Sequence, residues 1–162
     1  MGSIGSYASC DYDLETIDHL VEWCLQNGIP SPVKPSSFHT TLLYSRTIVQ
    51  PQDIVDLEIA LDVAHALRHP IEMKACGFRL FDSMNGPDRR SLVIELDAPQ
   101  LVDIHNQLIK SGGTHDYDDY VPHVTVSYRA SANFDLTALT LPTFIFRVLS
   151  MKAEPIDLNW TV

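Results

Sequence analysis

The stretch "PHVTVSY" (residues 122–128) sets His123 two positions before Thr125 inside an apolar run, and "FHTTLLYS" (38–45) sets His39 before Thr41 in the same way. On an extended strand, residues i and i+2 share a face. Each stretch therefore presents an imidazole and a hydroxyl side by side. Thr40 and Leu42 turn away behind the first pair, Val124 and Val126 behind the second. By the same alternation Tyr44 and Tyr128, three residues past each threonine, fall on the opposite face and read as packing residues.

The two stretches are 84 residues apart, and the same gap-free shift lays Asp13 on Asp97, Gly28 on Gly112 and Tyr44 on Tyr128. Before the first stretch, "YASCDYD" is a strand with Tyr7, Ser9 and Asp11 on one face and Ala8, Cys10 and Tyr12 on the other. "DLETIDHLVEWCLQNG" follows with apolar residues at Leu14, Ile17, Leu20, Val21, Cys24 and Leu25, a helical period. Asp13 caps it and Asn27-Gly28 ends it. Before the second stretch, "SLVIELD" is again a strand and "PQLVDIHNQLIKSGG" again an amphipathic helix, with proline at its start and glycines at its end. A further strand closes each half, in "PIEMKACGFRLFDS" and "TFIFRVLSMKAEPIDL". Segment 52–68 fits a helix or a strand. The pattern predicts one bilobed α+β domain over residues 1–162, its halves about 6–82 and 91–158 built on duplicated β-α-β units.

Bulk properties narrow the function classes. A chain of 162 residues with 45% hydrophobic and 20% charged content can bury one core without staples. Its apolar runs are too short and interrupted to span a bilayer, and no basic stretch followed by an apolar one opens it as a signal peptide does. The opening "MGSIGS" carries no structural weight in this reading. The three cysteines follow no metal-ligand spacing, and Cys10 and Cys24 read as buried free thiols of a reducing cytoplasm. A net charge of −10 argues against a protein that coats long nucleic acid, yet leaves room for a small phosphate ligand in one locally positive pocket. Lys34, Arg46, Arg129 and Lys152 flank the motifs and can supply that charge or stand as solvated surface. The acidic run 115–120, "HDYDDY", is either a loop over the site or a solvated turn.

If the halves pack about an approximate two-fold axis, the two His-x-Thr pairs face one another across a cleft. Breaking an RNA-type phosphodiester without a metal needs one group to take a proton and another to deliver one. Histidine does both near neutral pH, since its ordinary pKa is about 6.5. Threonine hydroxyls donate to non-bridging phosphate oxygens and stabilise the charge that develops there. One histidine would deprotonate a ribose 2′-OH for attack on phosphorus while the other protonates the departing 5′-oxygen. A lone His-x-Thr is most often structural; two copies at equivalent positions of a repeat favour catalysis. No Gly-x-Ser-x-Gly, His-Glu-x-x-His or Cys-x-x-Cys offers a nucleophilic or zinc alternative.

"HTTL" and "HVTV" resemble the paired His-x-Thr/Ser-x-apolar signatures of the 2H phosphoesterases. Taken with "SYASCDYD" and "GIPSPVKPSSFHTTLLYS", the chain is similar to the phage anti-CBASS nucleases within that superfamily. The resemblance implies mainly antiparallel sheets flanking a central cleft. It implies a metal-independent phosphodiesterase, with no cofactor, that cuts 3′–5′ bonds in cyclic di- and trinucleotide messengers of bacterial immunity. It assigns proton transfer and phosphate contact to His39, Thr41, His123 and Thr125, and substrate binding to Tyr7, Glu154 and Trp160. Tyr7 would stack on a base; Trp160 would cover the site or anchor the tail; Glu154 would meet a base edge or ribose, or orient a histidine. The expected partner is a cyclic oligonucleotide rather than a membrane or a long nucleic acid, and the expected place is the host bacterial cytoplasm. Two alternatives keep the same residues: action on RNA ends, 2′–5′ oligonucleotides or 2′,3′-cyclic phosphates, and a non-enzymatic sponge for cyclic nucleotides.

Overall fold

The structure, a computed structural model, describes residues 4–47, 49, 59, 71–82, 86–115 and 119–157. Segment 52–68 apart from Ile59, the centre of the acidic run 115–120, and Trp160 lie outside the described residues. In chain order the elements are β1 (Ile4–Tyr12), α1 (Leu14–Gln26), β2 (His39–Ser45), β3 (Glu72–Asp82), β4 (Arg89–Asp97), α2 (Pro99–Lys110), β5 (His123–Ser131) and β6 (Phe146–Asp157). The fold is α+β, and every strand pairing is antiparallel.

Sheet order is β2-β1-β6-β3-β4-β5. Only two register pairs join β6 to β3, Glu72–Arg147 and Met73–Phe146, so the sheet divides there into a β2-β1-β6 lobe and a β3-β4-β5 lobe. The third strand of each sequence half crosses to the other lobe: β3 pairs with β4, and β6 pairs with β1. The halves read along the chain are therefore interlocked in space, each lobe being completed by a strand from the opposite half.

Local sequence explains the helices. Asp13 at the α1 N-cap accepts a hydrogen bond from the Thr16 amide at 2.9 Å, which satisfies one of the donors a helix start leaves unpaired. Gly28 and Gly112 follow the two helices with positive φ of 60° and 107°, the conformation a helix exit favours and a Cβ resists. The buried face of α1 is Thr16, Leu20, Trp23 and Cys24, whereas Leu14 and Leu25 are exposed. At 100° per residue those two leucines lie roughly 120–140° from Leu20 around the helix, off the stripe fixed by Trp23. That indole stacks on Phe78 at 5.7 Å and donates to the Thr140 carbonyl at 2.7 Å.

The opening segment also differs from its reading. Strand β1 starts at Ile4, and Ser6 is buried with its hydroxyl accepting from the Val49 amide at 3.0 Å. Ala8, Cys10 and Tyr12 reach the core as the alternation predicts. Burial pushes the Cys10 thiol up to about 12 and the Cys24 thiol up to about 11, so both act as small apolar groups. Val124, Val126 and Leu42 enter the same core.

Candidate active site

His39 and His123 each occupy the first position of a lobe-edge strand, β2 and β5. The His39 Nδ1 donates to the Ser37 carbonyl at 2.7 Å, and the His123 Nδ1 donates to the Val121 carbonyl at 2.8 Å. A carbonyl only accepts, so both rings carry their neutral-state proton on Nδ1. Both Nε2 atoms are left with a lone pair for proton transfer, and the carbonyl fixes ring orientation as well as tautomer. Ser37 and Val121 are themselves 84 residues apart, so the orienting device is duplicated with the motif.

The lobes bring Tyr7, Thr41, His123 and Thr125 to one cleft of about 630 Å³, within the range of small-molecule sites. His39 is not among the residues that line this cleft, but a positive charge on it would depress the basicity of His123. Burial is the larger cause of that depression; the Val121 hydrogen bond and the Glu95 carboxylate oppose it, and Arg79 adds to it. Thr41 is held on two sides. Its hydroxyl shares a 3.0 Å hydrogen bond with the Tyr7 hydroxyl, and its carbonyl accepts from the Tyr120 hydroxyl at 2.6 Å. Burial raises the pKa of both tyrosines, which keeps them phenolic donors. Tyr120 in turn stacks on His105 at 4.1 Å, and His105 Nδ1 donates to the Leu42 carbonyl at 2.7 Å.

Glu154 is exposed on β6, in register with Tyr7 on β1. Lys152 pairs with Asp11 at 3.6 Å, so its charge is partly committed. Among the described residues no group of His, Cys, Asp and Glu side chains has the arrangement of a metal site.

Tyr44 and Tyr128 are corrected by the structure. They are 45% and 44% exposed rather than packed, and Tyr44 lines the cleft. The cause is a β-bulge in each strand. Ala8 pairs with Leu43 and Ser9 with Thr41, which leaves Leu42 as an extra residue in β2. Leu92 pairs with Ser127 and Val93 with Thr125, which leaves Val126 extra in β5. One inserted residue reverses the alternation beyond it, so both tyrosines return to the face of His and Thr. The bulged residues, Leu42 and Val126, obey the 84-residue shift.

Sequence reasoning missed Arg79, Phe81 and Ser91, which also line the cleft. Arg79 and Phe81 stand two apart in "GFRLFD", a strand-face spacing that was legible, but nothing in it shows which lobe β3 joins. Arg79 pairs with Glu95 at 3.2 Å, and Phe81 leans against the His123 ring at 5.3 Å.

Comparison with known proteins gives the family and the fold. Residues 4–162 match the family model described as "Anti-CBASS protein Acb1". The protein of that name from Vibrio phage KVP40 is 32% identical over 158 residues, covering 98% of this chain and 91% of the relative. Among solved structures, TT0787 of Thermus thermophilus superposes with a TM-score of 0.61 at 18% identity, covering 92% of this chain and 86% of the other. E. coli LigT complexed with 3′-AMP gives 0.53 at 17% identity, over 92% and 85%. The fold is thus that of the 2H phosphoesterases, and the chain belongs to the anti-CBASS protein Acb1 family.

Proposed function

We propose that the chain is a metal-independent phosphodiesterase that cuts 3′–5′ bonds in cyclic di- and trinucleotides by paired histidine catalysis, with His39, Thr41, His123 and Thr125 as its reacting groups. Family membership and fold support a phosphodiesterase directed against CBASS. The observation that carries the mechanism is the pair of matched Nδ1–carbonyl hydrogen bonds, which leave two Nε2 atoms for one base and one acid. One histidine takes the 2′-OH proton as that oxygen attacks phosphorus. The 5′ P–O bond breaks, and the other histidine delivers a proton to the leaving oxygen. The two threonine hydroxyls donate to the non-bridging oxygens. Water then opens the 2′,3′-cyclic phosphate with the histidine roles exchanged.

Tyr7, Glu154 and Trp160 are the proposed substrate contacts, with Tyr7 positioned by Thr41 at the cleft wall. The relatives from phages make the host bacterial cytoplasm the proposed place of action. The test is incubation of purified protein with a chelator and 3′,3′-cyclic GMP-AMP, followed by mass spectrometry. Linear product from the wild type, and its loss in His39→Ala and His123→Ala, is the expected result. Cleavage retained in both variants overturns the mechanism, and intact ligand after long incubation with wild-type protein makes it a sponge.

A further inference from the structure

A bulged residue drops out of the strand ladder, so its backbone needs another partner, and the two bulges find different ones. In β5 the Val126 carbonyl accepts from the Val33 amide at 2.8 Å, main chain to main chain, beside the isolated bridge between Pro32 and Ser127. The 84-residue shift carries Val126 onto Leu42. There the carbonyl accepts from a side chain, the Nδ1 of His105 on α2, at 2.7 Å. An imidazole stands where the other lobe uses an amide.

Strand β2 is the outermost strand of its lobe, and the chain from α2 onward covers its far half. The Thr114 hydroxyl accepts from the Arg46 amide at 2.8 Å, and the Thr114 amide donates to the Ser45 hydroxyl at 3.0 Å. His105 extends that contact to the bulge itself. It is buried with Leu101 and Leu108 on the inward face of α2. Packing alone does not call for a histidine here, because the equivalent residue of α1 is Val21, an apolar residue against the core. A buried imidazole is costly unless its polar atoms are paired, and this one pairs with the bulge. Its ring stacks on Tyr120 at 4.1 Å and 11°, and the Tyr120 hydroxyl donates to the Thr41 carbonyl at 2.6 Å. The two stacked rings therefore hold the two peptide units that flank Leu42.

We propose that His105 is a positioning residue for Thr41: its Nδ1–H fixes the Leu42 peptide and with it the bulge that sets the Thr41 hydroxyl in the cleft. Without that donor the Leu42 carbonyl is left unpaired in the core. The strand can then recover pairing only by shifting, and a shift turns side chains away from their face. Thr125 has no such dependence, since a main-chain amide holds the matching carbonyl. The kinetic readout of this proposal rests on the proposed phosphodiesterase function; its geometry does not.

Two substitutions separate what the imidazole contributes. His105→Phe keeps a ring against Tyr120 and removes the donor, whereas His105→Asn keeps an N–H near the Nδ1 position and removes the ring. His105→Leu repeats the first test if the phenylalanine variant does not fold. Each is measured for kcat and KM on 3′,3′-cyclic GMP-AMP, alone and combined with Thr41→Val or Thr125→Val. His105→Phe should lower kcat roughly tenfold, the rate equivalent of one net hydrogen bond, and His105→Asn should recover most of it. The loss should vanish in Thr41→Val, where the positioned hydroxyl is gone, and persist in Thr125→Val. An equal loss in both backgrounds overturns the proposal, because general damage to the core falls on both threonines alike. Unchanged kcat in His105→Phe overturns it as well. Wild-type protein inert toward the cyclic dinucleotide overturns the proposed function instead. The nuclear Overhauser contact between the Thr41 methyl and the Tyr7 ring then decides the positioning: weakened in His105→Phe and kept in His105→Asn it stands, and unchanged in both it falls.

Discussion

The two lobes carry the same His-x-Thr pair in different surroundings. On the first, the hydroxyl is the fixed partner: Thr41 is held by Tyr7 through its side chain and by Tyr120 through its backbone. Thr125 pairs with Val93 where Thr41 pairs with Ser9, and among the described residues its hydroxyl has no hydrogen bond. On the second lobe the imidazole is the enclosed partner. His123 lies against Phe81, opposite Glu95 in register, and burial lowers its pKa. The repeat sets two imidazoles at equivalent positions, and the residues around them differ. A group of lowered pKa is more readily neutral when it must accept a proton, so under the proposed mechanism we expect His123 to serve as the base of the first step.

The largest effects test that division directly. Replacing either imidazole with Ala should lower kcat by roughly 10²–10⁴, and the double variant should cost little more than the worse single one if the two act as a unit. Their pH profiles should differ. A base works deprotonated, so activity falls as pH drops through its pKa, and the lowered pKa of His123 puts the acidic limb of kcat/KM below about 6.5. His39→Ala should keep that limb in its residual activity, and His123→Ala should lose it. An acidic limb at or above about 6.5 in the wild type reverses the assignment.

How much of this was legible in the sequence depends on what each feature required. The His-x-Thr pairs, the Asp13 cap and the glycine exits are local patterns, and the constant shift of 84 made them visible together. Facing errors arose where one residue broke the period: the extra Leu42 and Val126 reverse the strands beyond them, and no residue type marks a bulge of this kind. Leu14 and Leu25 misled for another reason, since helical periodicity counts apolar residues and does not weigh a tryptophan that commits the buried stripe to one side. The exchange of β3 and β6 between lobes is a long-range pairing that the chain order does not encode. It put Arg79 and Phe81 beside His123 although they precede it by more than forty residues.

The threonines sharpen the comparison at the next level. Thr41→Val and Thr125→Val each remove a donor to the phosphate, and each should lower kcat by roughly 10²–10³ if both hydroxyls meet the developing charge. Tyr7→Phe removes only the group that aims Thr41. Its expected cost in kcat is about 2–10-fold, the worth of one net hydrogen bond, and it should vanish in a Thr41→Val background. Additive losses in that double variant would mean that Tyr7 contacts the substrate through its hydroxyl rather than through Thr41. A related stability test is Tyr120→Phe, which leaves the Thr41 carbonyl without its 2.6 Å donor. About 1 kcal/mol of stability should go with it, or roughly 2–4 °C in Tm.

The smallest expected effect concerns Glu95. Its carboxylate stands in register with His123 and favours the imidazolium, while pairing with Arg79 at 3.2 Å. Glu95→Gln keeps the size of the side chain and removes its charge, so the protonated form of His123 loses a partner and the pKa falls further. The acidic limb of kcat/KM should then move to lower pH, by less than about one unit for a partly exposed charge already shared with an arginine. Below the wild-type limb the variant should be a few-fold faster than wild type, and on the plateau indistinguishable from it. Movement of the limb to higher pH would mean that Arg79, released from Glu95, takes its place near the phosphate and that the pair acts on the ligand rather than on His123. Rescue by Glu95→Asp, with the limb restored, would confirm that charge at this position, rather than packing, sets where the base titrates.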